Sequence, residues 1–229
     1  GRIFFDDVSA KLSLSAGERP AVEQAVGYDK VIATSQGVLQ ISLYGARRAL
    51  SDVVLLLESE QEGVTSQAFA TGTSVSSEEG GLSVQGRLLS PLDFREVPFE
   101  QRVARVDGFA HVAYRFSGET LRQVDRVTVA VTLPSKVDGV RGLSENDEPT
   151  PRVTCGSLDG DFALEYPDPA RVRKISADGR IRLLQTWTVD PQADEAIFQF
   201  RIRESGSGGP LDPLQAFDEL HAKRKYGEA

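Results

Sequence analysis

The chain has 229 residues, a formal net charge of −8 and an isoelectric point near 4.9. This acidity argues against a nucleic-acid partner, because binding to phosphates requires clustered lysine and arginine. No apolar run approaches the ~20 residues of a membrane-spanning helix. The single cysteine, Cys155, excludes an intrachain disulfide and a cysteine metal cage.

Methionine is absent from the chain, even at position 1. We therefore expect the chain to be a processed or excised piece of something longer. A cleaved signal peptide would explain this and would predict an extracellular or periplasmic location, while a trimmed domain explains it equally well.

Period-2 alternation with β-branched and aromatic residues predicts a series of strands along most of the chain. Glycine, proline, asparagine and aspartate punctuate them. In chain order the predicted strands are Ala10–Leu14, Lys30–Ser35, Val38–Tyr44, Asp52–Glu58, Thr65–Thr71, Leu82–Leu89, Val97–Val106, Phe109–Ser117, Val124–Leu133, Phe162–Tyr166, Arg171–Ser176, Arg180–Val189 and Ala196–Arg203.

Many strands without crossover helices predict an all-β fold, namely a large antiparallel two-sheet β-sandwich formed by residues 1–203. Residues 204–210 (ESGSGGP) have the composition of a flexible linker. A short C-terminal helix is predicted in residues 211–229, capped by Asp212 with Pro213 at its first position.

The dipeptide Asp107-Gly108 predicts a two-residue hairpin turn, which fixes the register of its flanking strands. One face then pairs Val103 with Val112, and this face is predicted to be core. The third strand is expected to continue both faces. The opposite, polar face gathers Glu100, Arg102, His111, Arg115 and Arg126.

This polar face has two interpretations. As a binding site, Arg102, Arg115 and Arg126 would donate hydrogen bonds to an acidic ligand, Glu100 would orient Arg115, and His111 could act as an acid or base. As an ordinary sheet surface, it would simply be solvated. No nucleophile, phosphate-loop or dinucleotide motif accompanies it.

Oxygen-rich loops are the other candidate site. Asp159 and Asp161 are weak candidates for a calcium ion, which is the only cofactor the sequence suggests, although the EF-hand pattern is absent. A solvated turn is the alternative. Trp187 alternates with Ile181, Leu183 and Val189 and is therefore expected to point into the core rather than stack on a sugar.

Two segments resemble the galactose-mutarotase-like supersandwich of carbohydrate-active proteins. They are YDKVIATSQGVLQISL and the run from RVARVDGFAHVAYRFSG to VTVAVTLPSKVDGV. The resemblance implies a concave sheet face that holds a sugar. Mutarotases use a histidine pair with a carboxylate, and His111 alone could fill such a role in the strand region.

The leading functional prediction is a non-catalytic module of a longer carbohydrate-active protein, which binds an oligosaccharide or packs beside a catalytic domain. One alternative is an enzyme of the epimerase or lyase type that acts on an acidic sugar, with His111 as acid or base and Glu100 beside it. Another is an assembly protein that docks a partner through its C-terminal helix.

Overall fold

The computed structural model describes residues 22–26, 29–43, 48–59, 63–78, 80–106, 109–157, 161–177 and 179–204. Two 3₁₀ turns, Gln67–Phe69 and Glu119–Gln123, are the helical elements within these residues. The strands are β1 (Val22–Val26), β2 (Asp29–Ala33), β3 (Leu39–Leu43), β4 (Arg48–Ser59), β5 (Gly63–Ser66), β6 (Thr71–Glu78), β7 (Gly81–Leu89), β8 (Glu96–Val106), β9 (Phe109–Ser117), β10 (Arg126–Thr132), β11 (Val137–Arg141), β12 (Thr150–Ser157), β13 (Phe162–Ala177), β14 (Arg180–Thr188) and β15 (Glu195–Glu204).

All the strand pairs are antiparallel, and most strands follow one hydrogen-bonded path. Its order is β1-β2-β3-β4-β10-β14-β13-β15-β9-β8-β7-β6, while β5 pairs with β4, and β12 pairs with both β11 and β13. Strand β1 also contacts β6 and β7, so the two ends of the path approach each other and the sheet is nearly barrel-shaped. The all-β prediction is confirmed, whereas the division into two sheets stays a prediction.

The long strand β13 connects two parts of this path. Residues Phe162 to Glu165 pair with β15, and residues Arg171 to Ala177 pair with β14. Pro167 and Pro169 lie between the two paired portions, where no ladder hydrogen bond requires their missing N–H groups. The sequence prediction of two strands here is therefore corrected to one strand that changes partners.

The hairpin of β8 and β9 has the predicted register. Val103 lies opposite Val112, and Val106 lies opposite Phe109. The inner face is core, since Val103, Val112 and Phe116 are fully buried. The alternation of apolar residues along both strands explains why this face turns inward.

Two buried polar side chains on this inner face are linked to each other. The side-chain amide of Gln101 donates to the hydroxyl of Tyr114 at 2.9 Å, and Gln67 donates to Gln101 at 3.1 Å. The carbonyl oxygen of Gln67 accepts from the backbone N–H of Leu55 at 3.1 Å. We call Gln67, Gln101 and Tyr114 the buried relay; it joins β9 and β8 to β4 through the core.

The prediction that the third strand of the polar face lies beside the hairpin is wrong. Strand β10 pairs with β4 and β14, so β14, β13 and β15 separate it from β9. Arg126 is therefore not beside Arg115, and Thr128 and Thr132, which follow it along β10, are buried. The neighbour of β9 is β15, which comes much later in the chain.

Other predictions differ or lie outside the described residues. The predicted strand Thr65–Thr71 is wrong in part, because β5 ends at Ser66 and a 3₁₀ turn follows. Strand Ala10–Leu14, linker residues 205–210 and the C-terminal helix lie outside the described residues, and the 1–203 domain boundary stays a prediction. In the described part of the chain, no helix is long and apolar enough to cross a membrane.

Candidate binding face

The candidate site is the outer face of the sheet formed by β8, β9, β15, β13 and β12. Opposite residues in paired strands share a face, so the register brings four residues into one row across the sheet. His111 of β9 lies opposite Arg201 of β15, Arg201 lies opposite Glu165 of β13, and Glu165 lies opposite Arg152 of β12. We call the residues of this row and its charged neighbours the arginine face: Arg102, His111, Arg115, Arg152, Glu165, Arg201 and Arg203.

His111 and Arg201 form the central contact of the arginine face. Nε of Arg201 donates to Nε2 of His111 at 3.1 Å. This bond requires an unprotonated Nε2, because a doubly protonated imidazole has only donors. Partial burial, together with the charge of Arg201, lowers the pKa of His111 and so favours that neutral form.

Glu165 is the carboxylate nearest to the centre of the row. Its Oε1 lies 3.8 Å from Nη1 of Arg152 and 3.7 Å from Nη1 of Arg203. Both distances exceed hydrogen-bond length, so the two contacts are ion pairs at the limit of direct attraction. One carboxylate therefore faces several guanidinium groups without a close bond to either of these two.

Glu100 and Arg115 lie opposite each other, as predicted, but their interaction is not the close one. Nε of Arg115 donates to Oε1 of Glu195 at 2.8 Å. This bond and the charge of Glu195 raise the pKa of Arg115, and Glu100 adds a weaker charge interaction. The expected role of Glu100 in orienting Arg115 therefore belongs to Glu195. Arg102 is exposed on the same face, on β8.

The loop that contains Asp159 and Asp161, the candidate calcium site, contributes little to the candidate binding face. Asp159 lies outside the described residues, and Oδ1 of Asp161 accepts from the backbone N–H of Ser157 at 3.3 Å. Within the residues that the structure describes, no group of three or more histidine, cysteine, aspartate or glutamate side chains could hold a metal ion. The calcium prediction stays a prediction.

Cys155 lies in the core and does not contribute reactive chemistry to the face. Its thiol is buried and forms no disulfide. Burial, with a contribution from the Asp161 carboxylate, raises the pKa of the Cys155 thiol to about 12. Because the thiolate is the reactive form, burial leaves this cysteine inert near neutral pH.

The aromatic residues divide into a buried group and an exposed pair. Trp187 is buried, as predicted, and donates from Nε1 to the carbonyl oxygen of Asp168 at 3.0 Å. Phe69 and Phe94 are the exposed aromatics of the described residues, at 76% and 68% exposure. Phe94 also has a positive φ of 59°, which is a strained conformation for a bulky residue.

Sequence reasoning missed the basic residues that complete the arginine face: Arg152, Arg201 and Arg203. The alternation in FQFRIRE (residues 198–204) places Arg201 and Arg203 on the polar side of a strand, and that signal was present. What the sequence did not reveal was the partner of that strand. Only the pairing of β15 with β9 brings Arg201 to His111.

Comparisons with known proteins show the fold. No protein-family model matches the chain, and no curated protein matches it in sequence. The 4-α-glucanotransferase from Thermococcus litoralis matches with a TM-score of 0.60 at 10% identity, over 83% of this chain and 38% of that one. The α-N-acetylgalactosaminidase NagBb from Bifidobacterium bifidum matches with a TM-score of 0.56 at 12% identity, over 90% and 39%.

An α-mannosidase from Enterococcus faecalis is also similar, with a TM-score of 0.55 at 12% identity, over 90% of this chain and 31% of that one. The chain thus spans less than two fifths of the length of each of these structures. The named neighbours are carbohydrate-active enzymes. At these identities the likeness establishes a shared fold, and the galactose-mutarotase-like resemblance stays a prediction.

Proposed function

We propose that this chain is a non-catalytic β-module of a larger carbohydrate-active protein, in which it binds an oligosaccharide or supports its processing beside a catalytic domain. The observation that carries the proposal is the mismatch in coverage. Up to 90% of this chain aligns with carbohydrate-active enzymes, but no more than 39% of any of those three chains is aligned. A fold hosts many functions, so the sugar must be tested directly.

The contacts of His111 favour a binding role over an enzymatic one. A general base needs a free lone pair directed at the substrate, but Nε2 of His111 already accepts a hydrogen bond from Arg201. As an acid it would need a raised pKa, whereas the pKa of His111 is lowered. The epimerase or lyase alternative, with His111 as acid or base, is therefore the weaker one.

Two further features are consistent with a module that contacts a neighbour. Phe69 and Phe94 each expose an apolar ring, and a large apolar side chain left in water is available to a contacting partner. The assembly role of the C-terminal helix concerns residues that the structure does not describe, so it stays a prediction.

A glycan array probed with the 229-residue chain tests the proposal, together with a turnover assay on every glycan that binds. We expect binding to at least one oligosaccharide class and no change in its chemical structure over prolonged incubation. Turnover would overturn the non-catalytic part of the proposal. Complete absence of binding across neutral and acidic glycans would overturn the binding part.

A further inference from the structure

Arg201 differs from Arg87, Arg115 and Arg122 in the group that holds it. Arg87, Arg115 and Arg122 each contact a carboxylate at 2.8 to 3.2 Å, so much of their charge is neutralised. Arg201 is held instead by the imidazole of His111. A neutral acceptor fixes the direction of the guanidinium and leaves its positive charge intact.

The hydrogen bond to His111 leaves one edge of the Arg201 guanidinium available to a ligand. The bond to His111 uses Nε–H, so it leaves unused the end edge of the guanidinium, which is formed by one N–H of each terminal nitrogen, Nη1 and Nη2. Arg201 is exposed, and among the described residues its side chain forms a hydrogen bond with His111 alone and no ion pair. A guanidinium with free terminal nitrogens binds a planar oxyanion through two parallel hydrogen bonds.

The surroundings of Arg201 add to its positive field. Arg203 lies two residues along β15, and Arg152 lies two strands away in the same row, roughly 10 Å across the sheet. The shared carboxylate of Glu165 approaches these two arginines at 3.7 and 3.8 Å. The guanidinium groups of Arg152, Arg201 and Arg203 thus lie around the carboxylate of Glu165, on a chain whose overall charge is −8.

We propose that Arg201, oriented by His111, forms an anion subsite that binds the carboxylate or sulfate group of an acidic oligosaccharide. Arg203 and Arg152 strengthen the field around the bound group. The identity of the ligand as a sugar rests on the function proposed above, whereas binding of an oxyanion at Arg201 rests on the geometry alone. His111 is a positioning residue here, since it acts through Arg201.

Isothermal titration with three oligosaccharides tests the subsite in the full 229-residue chain. Trigalacturonate carries only carboxylates, a κ-carrageenan tetrasaccharide carries only sulfate esters, and maltotriose is neutral. We expect at least one of the two acidic ligands to bind, and Arg201→Gln to weaken that binding about tenfold or more, because a hydrogen-bonded charge is lost. Arg122→Gln removes an equal charge outside the arginine face and should leave affinity unchanged.

Two substitutions at position 111 separate positioning from a merely structural role. In His111→Gln the amide oxygen can still accept from Nε of Arg201, so affinity should stay near that of the wild type. In His111→Leu the acceptor is lost, and affinity should fall toward that of Arg201→Gln. Raising the salt from about 0.1 M to about 1 M should weaken binding, since the Debye length falls from roughly 10 Å to roughly 3 Å.

The outcomes distinguish this proposal from the previous one. If neither acidic ligand binds, or if Arg201→Gln binds as the wild type does while far-UV circular dichroism shows that it is folded, the subsite proposal is overturned. Binding of maltotriose that is unaffected by Arg201→Gln would still support a carbohydrate module. Equal loss of affinity in Arg122→Gln would reduce the effect to overall charge and would also overturn the subsite.

Discussion

The two faces of the sheet that contains the hairpin β8–β9 differ in how their polar side chains are bonded. On the inner face, Gln101 and Tyr114 are fully buried and joined at 2.9 Å, and the buried relay continues to Gln67 at 3.1 Å. On the outer face, the two contacts of Glu165 are 3.7 and 3.8 Å long, and Arg201 is held by an imidazole.

This difference follows from burial. Leaving a buried polar group unpaired costs about 1–3 kcal/mol, so the hydrogen bonds of the relay stabilise the fold. An exposed guanidinium needs no protein partner, because water solvates it. The charge of Arg201, which a neutral imidazole holds, is therefore not explained by folding, and it is available to a ligand.

The largest effect should come from closing the space beside the buried relay, with Gly37→Ala. Gly37 has a φ of +82°, and a Cβ added there would lie 2.5 Å from Cγ1 of Val84 and 2.8 Å from Nε2 of Gln67. Backbone strain and overpacking together should lower the free energy of unfolding by about 3 kcal/mol. Urea denaturation measures this change.

The matched control for this variant is Gly179→Ala. Gly179 has a similar φ of +71°, but nothing lies within 4 Å of an added Cβ. Only the backbone strain remains, so we expect a loss of about 1 kcal/mol. Equal losses in the two variants would show that the space around Gln67 is not tightly closed.

The second largest effect should come from Tyr114→Phe, which removes the hydroxyl that accepts from the side-chain amide of Gln101. The amide would then be buried without its partner, so the free energy of unfolding should fall by about 2 kcal/mol. Tyr166→Phe is the control, because the buried hydroxyl of Tyr166 has no hydrogen-bond partner among the described residues. That substitution should be neutral or stabilising. An unchanged free energy of unfolding in Tyr114→Phe would show that the hydrogen bond between Gln101 and Tyr114 does not stabilise the inner face.

The inner face was predictable from the sequence because it depends on local information. Asp107-Gly108 sets the register, and period-2 alternation selects the buried residues, so Val103 opposite Val112 followed directly. Trp187 was placed in the core by the same alternation. The role of Gln101 was not predictable, since its partner Gln67 lies in a 3₁₀ turn where the sequence indicated a strand.

The outer face was only half predictable because it depends on strand order. Arg102, His111 and Arg115 belong to the hairpin itself and were found. Arg126 was assigned to this face on the assumption that consecutive strands are neighbours, which holds for many sheets but not for β9 and β10. Arg201 lies 90 residues from His111, and no local pattern reveals so distant a pairing.

A smaller effect is expected from pH, through His111. Its pKa is lowered by burial and by Arg201, so between the folded-state pKa and the unfolded value of ~6.5 the unfolded chain binds more protons. The stabilising contribution of His111 is therefore complete above about pH 6.5 and is lost as the pH falls through the folded-state pKa. Thermal unfolding across this range measures it.

The control for the pH dependence is His111→Gln, which has no titrating group at this position. The difference in unfolding midpoint between wild type and variant should shrink or reverse as the pH falls below about 6.5. A wild type that gains stability relative to His111→Gln under acid conditions would contradict the neutral imidazole on which the contact with Arg201 depends.

The smallest effect should come from Glu195→Gln, which removes the charge that pairs with Arg115. Both side chains are about half exposed, at 50% and 56%, so water and salt screen the pair. We expect no measurable change in the midpoint of urea unfolding at low or high salt. The same variant should raise the affinity for an acidic oligosaccharide, since it removes a negative charge from the outer face. A loss of stability as large as that of Tyr114→Phe would mean that the charges of this face are needed for folding, and the charge of Arg201 would lose its significance as evidence for a ligand.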